Sequence, residues 1–197
     1  MKPRYCACVL LACLHPSVLG VHPSAEKVVY DFSSMYETLN PSIVKIHADA
    51  AAGSGFLVSD DGLIATNHHV VRNSRYLAAQ FETGRKYEAA VVVLDPRHDL
   101  AILKVNAEAV RGLPPLPLLP KALDHTVRAG VPVVAFGSPL SQSFLITQGI
   151  VSKVDDGALP GDFLIEPGNS GGPLVNRTAR SLGSRRLGSA ESRAQSP

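Results

Sequence analysis

The spacing of apolar residues changes period once along the chain, close to residue 40. Between Asp31 and Leu39, Phe32, Met35, Tyr36 and Leu39 fall at i, i+3, i+4 and i+7, one face of a short helix. Asn40-Pro41 stops it, so the pattern predicts an N-terminal helix within 27–40. Short β-type runs follow: SIVKIHA, SGFLVS, LIATN, RYLAAQF, KYEAAVVVLD and LAILKV, with turns at Asp60-Asp61-Gly62 and Thr83-Gly84. Six short strands joined by tight turns argue for an antiparallel barrel or sandwich over 41–112. Arg111 to Asp124 holds four prolines and no period, and 113–124 reads as an extended linker. A second strand set, VPVVAFG, SFLITQG, IVSKVD, DFLIE and GPLVN, fills 125–176. The expected fold is all-β, with two antiparallel lobes.

The ends differ from this middle. Lys2 and Arg4 precede an apolar run from Tyr5 to Leu14, and small residues follow up to Gly20. That is the outline of a secretory signal peptide over 1–20, too short to span a bilayer comfortably. Leu10 to Cys13 also resembles a lipoprotein cleavage box that would leave Cys13 lipidated; this ranks second. Cys6, Cys8 and Cys13 all lie in the leader, so cleavage after Gly20 removes every thiol and excludes disulfides and cysteine catalysis. An exported domain without disulfides points to a bacterial periplasm or a secreted protein. The net charge of +2 hides an acidic body and a basic tail, where Arg177, Arg180, Arg185, Arg186 and Arg193 face only Glu191. No aromatic residue is interleaved there to stack on bases, so 177–197 reads as a solvated, disordered basic tail rather than a nucleic-acid binder.

Three stretches carry candidate chemistry. Amide hydrolysis by a hydroxyl needs a serine beside a base, a carboxylate that fixes the base's tautomer, and N–H groups aimed at the oxyanion. GNSGGP offers Ser170 on a glycine-rich turn, ATNHHVV offers His69, and RHDLAILKV offers Asp99 at the head of an apolar strand. Their order, His then Asp then Ser, is that of the chymotrypsin-type proteases. His68, His69 and His98 lack the Cys or carboxylate partners that a metal site would need, so no metal is expected. Asn176-Arg177-Thr178 matches a glycosylation acceptor, a match that an envelope protein makes accidental.

The stretches GSGFLVSDDGLIATNHHVV, HDLAILKV, GSPL, TQGIVSKV and PGNSGGPLVN together resemble the protease domain of the HtrA/Deg family of trypsin-like serine proteases, from about Leu39 to Asn176. The resemblance implies two antiparallel β-barrels with the site between them. It also implies His69 as general base, Asp99 as orienting acid, Ser170 as nucleophile, and the backbone N–H groups of Gly168 and Ser170 as oxyanion hole. It implies no cofactor, unfolded or misfolded proteins as substrates, and a homo-oligomer, a trimer in much of the family, for which Glu26 to Leu39 would serve. Asp162 lies where the family has a loop-supporting Asp, and Glu166 where it has Asn or Asp.

Past Asn176 the resemblance stops. The family continues with closing strands of the second barrel and PDZ domains, whereas Arg177 to Pro197 contains only Leu182 and Leu187 as large aliphatics. The second barrel is therefore expected to be incomplete, with an open edge and exposed apolar surface, and no PDZ domain is expected in this chain. Two functions remain: a serine endopeptidase working through His69, Asp99 and Ser170, or a catalytically inactive truncated relative acting as a binding module.

Overall fold

The computed structural model describes residues 31–49, 51–138, 144–155, 158–164 and 167–182. The expected signal peptide with Cys13, Glu166, and the tail from 183 onward lie outside the described residues. Helix α1 spans Ser33–Leu39, and a 3₁₀ turn at Asn40–Ser42 leads into the first strand. The strands of the first lobe are β1 (Ile43–Ala48), β2 (Ala52–Leu57), β3 (Leu63–Asn67), β4 (Leu77–Gln80), β5 (Lys86–Glu88), β6 (Ala90–Asp95) and β7 (Leu100–Lys104). A four-residue helix α2, His68–Val71, follows β3 directly. In the second lobe, β8 (Pro132–Gly137), β9 (Leu145–Ile150) and β10 (Leu174–Asn176) form a separate sheet.

The first sheet runs β5-β4-β1-β2-β3-β7-β6, with every pairing antiparallel. Its two end strands are consecutive in sequence, separated by Ala89 alone. The stretch KYEAAVVVLD, read as one strand, therefore bends at Ala89 and pairs with β4 on one side and β7 on the other, curling the sheet on itself. Val44, Ile46, Leu57, Ile64, Leu103 and Val105 fill the interior. The opposite face of β1 and β2 contributes Ile43 and Phe56 to a second core, shared with Val134, Phe136 and Val175 of the second lobe and Leu39 of α1. Tyr36 stacks on Phe136 there, ring centres 6.4 Å apart, so the amphipathic helix closes the seam between the lobes.

The second lobe differs from its expected strand list. Past β9, IVSKVD makes only isolated bridges among the described residues, Val151 with Gly161 and Asp155 with Ala158, and no described residue of DFLIE lies in a strand. Pro160 O accepts the Ser152 and Lys153 N–H groups at 2.8 and 3.2 Å, and Val151 and Phe163 are buried as separate anchors. Asp162 accepts the Ile150 N–H at 2.6 Å, tying this loop to the end of β9. The sheet β10-β8-β9 is small, and Ile150, Val154 and Leu164 stand exposed beside it.

The linker and the start of the tail are both packed. Leu116 is buried and its N–H donates to Leu57 O at 2.9 Å, while Lys121–Thr126 winds into a 3₁₀ turn. Disorder was expected from 177, yet 177–182 folds back on β10. Asn176 Oδ1 accepts the N–H groups of Thr178 and Arg180, each at 3.0 Å, an Asx turn that satisfies the backbone locally. The Leu182 N–H then donates to Leu174 O at 2.8 Å, and Ser181 bonds to Pro117 and Leu119 of the linker. Leu182 enters the second-lobe core beside Val127, Val133 and Leu174.

Candidate active site

Strand pairing brings two of the expected residues together. In the β3–β7 register Asn67 faces Leu100, so the residues just after Asn67 lie beside the one just before Leu100. Asp99 occupies that place with φ of 54°, a left-handed conformation that a non-glycine residue holds only when its surroundings fix it. Four hydrogen bonds do so. The Asp99 carbonyl accepts from the His68 N–H at 3.1 Å and from Asn67 Nδ2 at 2.8 Å. Its carboxylate accepts the His69 N–H on Oδ1 at 3.0 Å and lies 2.8 Å from His69 Nδ1 through Oδ2. A carboxylate only accepts, so Nδ1 carries the hydrogen and Nε2 keeps its lone pair. The Asp99 side chain is 14% exposed and the imidazole 44%, an acid shielded behind a more open base.

The turn presenting Asp99 has its own support. Asp95 Oδ1 accepts the N–H groups of Arg97 and His98 at 3.1 and 3.2 Å, and its Oδ2 lies 2.6 Å from His98 Nδ1. The His98 ring beside Asp95, then the His98 N–H, hold the Asp95 carboxyl below its ordinary value.

Ser170 is placed by its backbone. Gly168 and Gly171 adopt φ of 105° and 88°, angles that close the loop sharply and suit glycine. Gly168 and Asn169 are buried and Ser170 is half-buried. The Ser170 carbonyl accepts the Ser54 N–H at 2.7 Å, and a Cβ on Gly53 would lie 2.8 Å from that same oxygen. A Cβ on Gly171 would run into Ser54 O and Thr66 Oγ1 and stand 3.0 Å from the Asn67 N. The serine loop is thus seated against the end of β3, the strand that delivers His69. On its other side the Asn169 carboxamide packs against Gly137, where any Cβ would collide with it.

Ser54, Asn67, Thr66 and Asp95 all hold the site's backbone, and no sequence motif assigns them that part. The glycines of GSG flanking Ser54 were the available signal, since glycine on both sides of a polar residue within a strand marks a close approach of another backbone. Among the described residues no group of three or more His, Cys, Asp or Glu gathers into a metal-binding cluster. No described helix is long and apolar enough to cross a membrane.

Comparison with known proteins gives the family and the fold. The family model described as the trypsin-like peptidase domain matches residues 53–183. The chain is 37% identical over 191 residues to the serine protease HTRA2, mitochondrial, of Bos taurus, covering 85% of this chain and 41% of that protein. It is also 37% identical over 144 residues to a probable periplasmic serine endoprotease, DegP-like, of Chlamydia trachomatis, covering 68% and 28% respectively. Among solved structures it matches the serine endoprotease from Yersinia pestis with a TM-score of 0.68 and 31% identity, over 80% of this chain and 57% of that one. Against these two curated relatives the chain thus spans well under half of their length.

Proposed function

This chain belongs to the trypsin-like peptidase family, in its HtrA-like branch, and from that premise we propose that it is a serine endopeptidase acting through Ser170, His69 and Asp99. The observation that carries the reading is the His69–Asp99 pair, bonded through both side chain and main chain at 2.8 and 3.0 Å. Asp99 holds the hydrogen on Nδ1 and so points a basic Nε2 away from itself. His69 takes the Ser170 hydroxyl proton as the oxygen attacks the scissile carbonyl, and Asp99 stabilises the imidazolium that forms. The backbone N–H groups of Gly168 and Ser170 receive the negative oxygen, and His69 then gives its proton to the leaving amine. Water repeats the cycle on the acyl-enzyme.

Extended, unfolded polypeptide is the substrate class this reading favours, in an exported compartment such as the periplasm, as a homo-oligomer. The leader-like N-terminus and the relative named periplasmic support the location. The test is digestion of an unfolded protein such as casein by the purified chain and by Ser170→Ala. Fragments from the wild type alone are expected. Equal fragmentation by Ser170→Ala would overturn the proposal, and no fragmentation by a folded wild type would favour the inactive binding module.

A further inference from the structure

We propose that Ser54 is a positioning residue for the nucleophile loop, locking the peptide groups on either side of the Ser170 N–H. The inference rests on the endopeptidase reading above. Ser54 lies on β2 in the first lobe and is fully buried, with relative exposure of 0%. A hydroxyl there must find partners or lose stability, and it finds two of opposite polarity. Its Oγ donates to Gly168 O at 2.7 Å and accepts the Ser138 N–H at 2.8 Å. A carbonyl can only accept and an amide N–H only donate, so the direction of the whole relay is fixed. The same residue's backbone N–H donates to Ser170 O at 2.7 Å.

The consequence follows from peptide planarity. Ser54 pins the carbonyl of Gly168 through its side chain and the carbonyl of Ser170 through its main chain. Between them the carbonyl of Asn169 accepts the Gly172 N–H at 3.0 Å. Three consecutive peptide planes are therefore fixed, two of them by one residue. The Ser170 N–H, which shares the middle plane, has its direction set opposite to the Asn169 carbonyl. An oxyanion donor needs this, because its value lies in requiring no reorganisation during reaction.

Ser54 also joins the separate parts of the site. Its carbonyl accepts from Thr66 Oγ1 at 2.7 Å, and Thr66 lies three residues before His69 on β3. Ser138 directly follows β8 in the second lobe. One buried serine thus links the base-bearing strand, the nucleophile loop and the opposite lobe. A loss of its hydroxyl frees the Gly168 peptide to turn while leaving the His69–Asp99 pair intact.

The experiment compares wild type, Ser54→Ala and Leu182→Ala, the last lowering stability without removing any of the Ser54 hydrogen bonds. Each is read by the rate of fluorophosphonate labelling at Ser170 and by kcat and KM on casein, at a temperature where circular dichroism shows it folded. Deleting an oxyanion donor outright costs about 10²–10³ in kcat. Ser54→Ala is expected to slow labelling and kcat by about 10- to 100-fold with KM within about twofold, the pattern of an interaction felt in the transition state. Leu182→Ala should label within about twofold of wild type. Unchanged labelling of Ser54→Ala, an equal loss in Leu182→Ala, or a loss confined to KM would overturn the inference. If Ser54→Ala does not fold, Ser54→Cys, which keeps the volume and only a weak donor, is read by the same criteria. A folded wild type that never labels would bring down the endopeptidase reading and this inference with it; a labelled wild type with unaffected Ser54 variants would bring down this inference alone.

Discussion

Truncating Leu182 to alanine is the sharpest probe of whether the residues past β10 complete the second lobe. Leu182 is 5% exposed and packs with Val127, Val133 and Leu174 in a core that, among the described residues, is built around the three strands β8, β9 and β10. The substitution removes three carbons, worth about 0.8 kcal/mol each in transfer alone. The cavity left behind brings the cost of such changes to about 2–5 kcal/mol. We take about 3 kcal/mol, because a small sheet with exposed neighbours relaxes more than a large core. That is a sizeable share of the roughly 5–15 kcal/mol that holds a domain folded. In a domain of this size it lowers the melting temperature by about 6–12 °C. The chain has no tryptophan, so the assay is far-UV circular dichroism on heating, with Arg180→Ala as the exposed control from the same hairpin. The control should stay within about 0.5 kcal/mol of wild type. A Leu182→Ala shift as small as that of Arg180→Ala would refute the packing of this hairpin into the lobe.

Other expectations follow from the site. Asp99→Asn should lower kcat about 10⁴-fold, since a carboxamide no longer fixes the imidazole tautomer; a loss under tenfold in casein hydrolysis would contradict the pairing. Gly137→Ala places a methyl group against the Asn169 carboxamide and should both destabilise the chain and slow labelling of Ser170, whereas unchanged labelling kinetics would show that the loop does not depend on that contact. Asp95 has a folded pKa below its ordinary 3.8, so its ionised form adds stability above that value, and this contribution is lost as pH falls through the lower folded value. The difference in urea midpoint between wild type and Asp95→Asn should therefore shrink between pH 5 and pH 2.5; a constant or widening gap would contradict the Asp95–His98 clamp.

Much of the first lobe was legible because alternation and turn residues carry it. β1, β3 and β7 fall where SIVKIHA, LIATN and LAILKV place them, and β2 begins and ends two residues before SGFLVS. The bend at Ala89 was not legible, because an unbroken apolar run gives no sign of where a strand exchanges partners. IVSKVD and DFLIE have strand composition, yet single buried anchors such as Val151 and Phe163 decide their path, and tertiary packing overrides propensity. The hairpin at 177–182 was hidden because it depends on one leucine and on the side chain of Asn176, whose N-R-T context suggested a glycosylation acceptor. For the site, the residue types of the expected triad stand out in sequence by their motifs. The residues that hold its backbone, Ser54, Asn67, Thr66 and Asp95, do not, since a buried hydroxyl or a turn carboxylate reveals its partner only when distant strands have met.

Endopeptidase activity requires Ser170 to be an activated nucleophile. Treating the folded chain with a fluorophosphonate and locating the adduct by mass spectrometry tests this directly, since the reagent needs the serine, its base and the oxyanion N–H groups but little of a specificity pocket. A single adduct on Ser170, lost in His69→Ala, is the predicted result. A folded chain that remains unmodified, or that is modified on another serine, would contradict it.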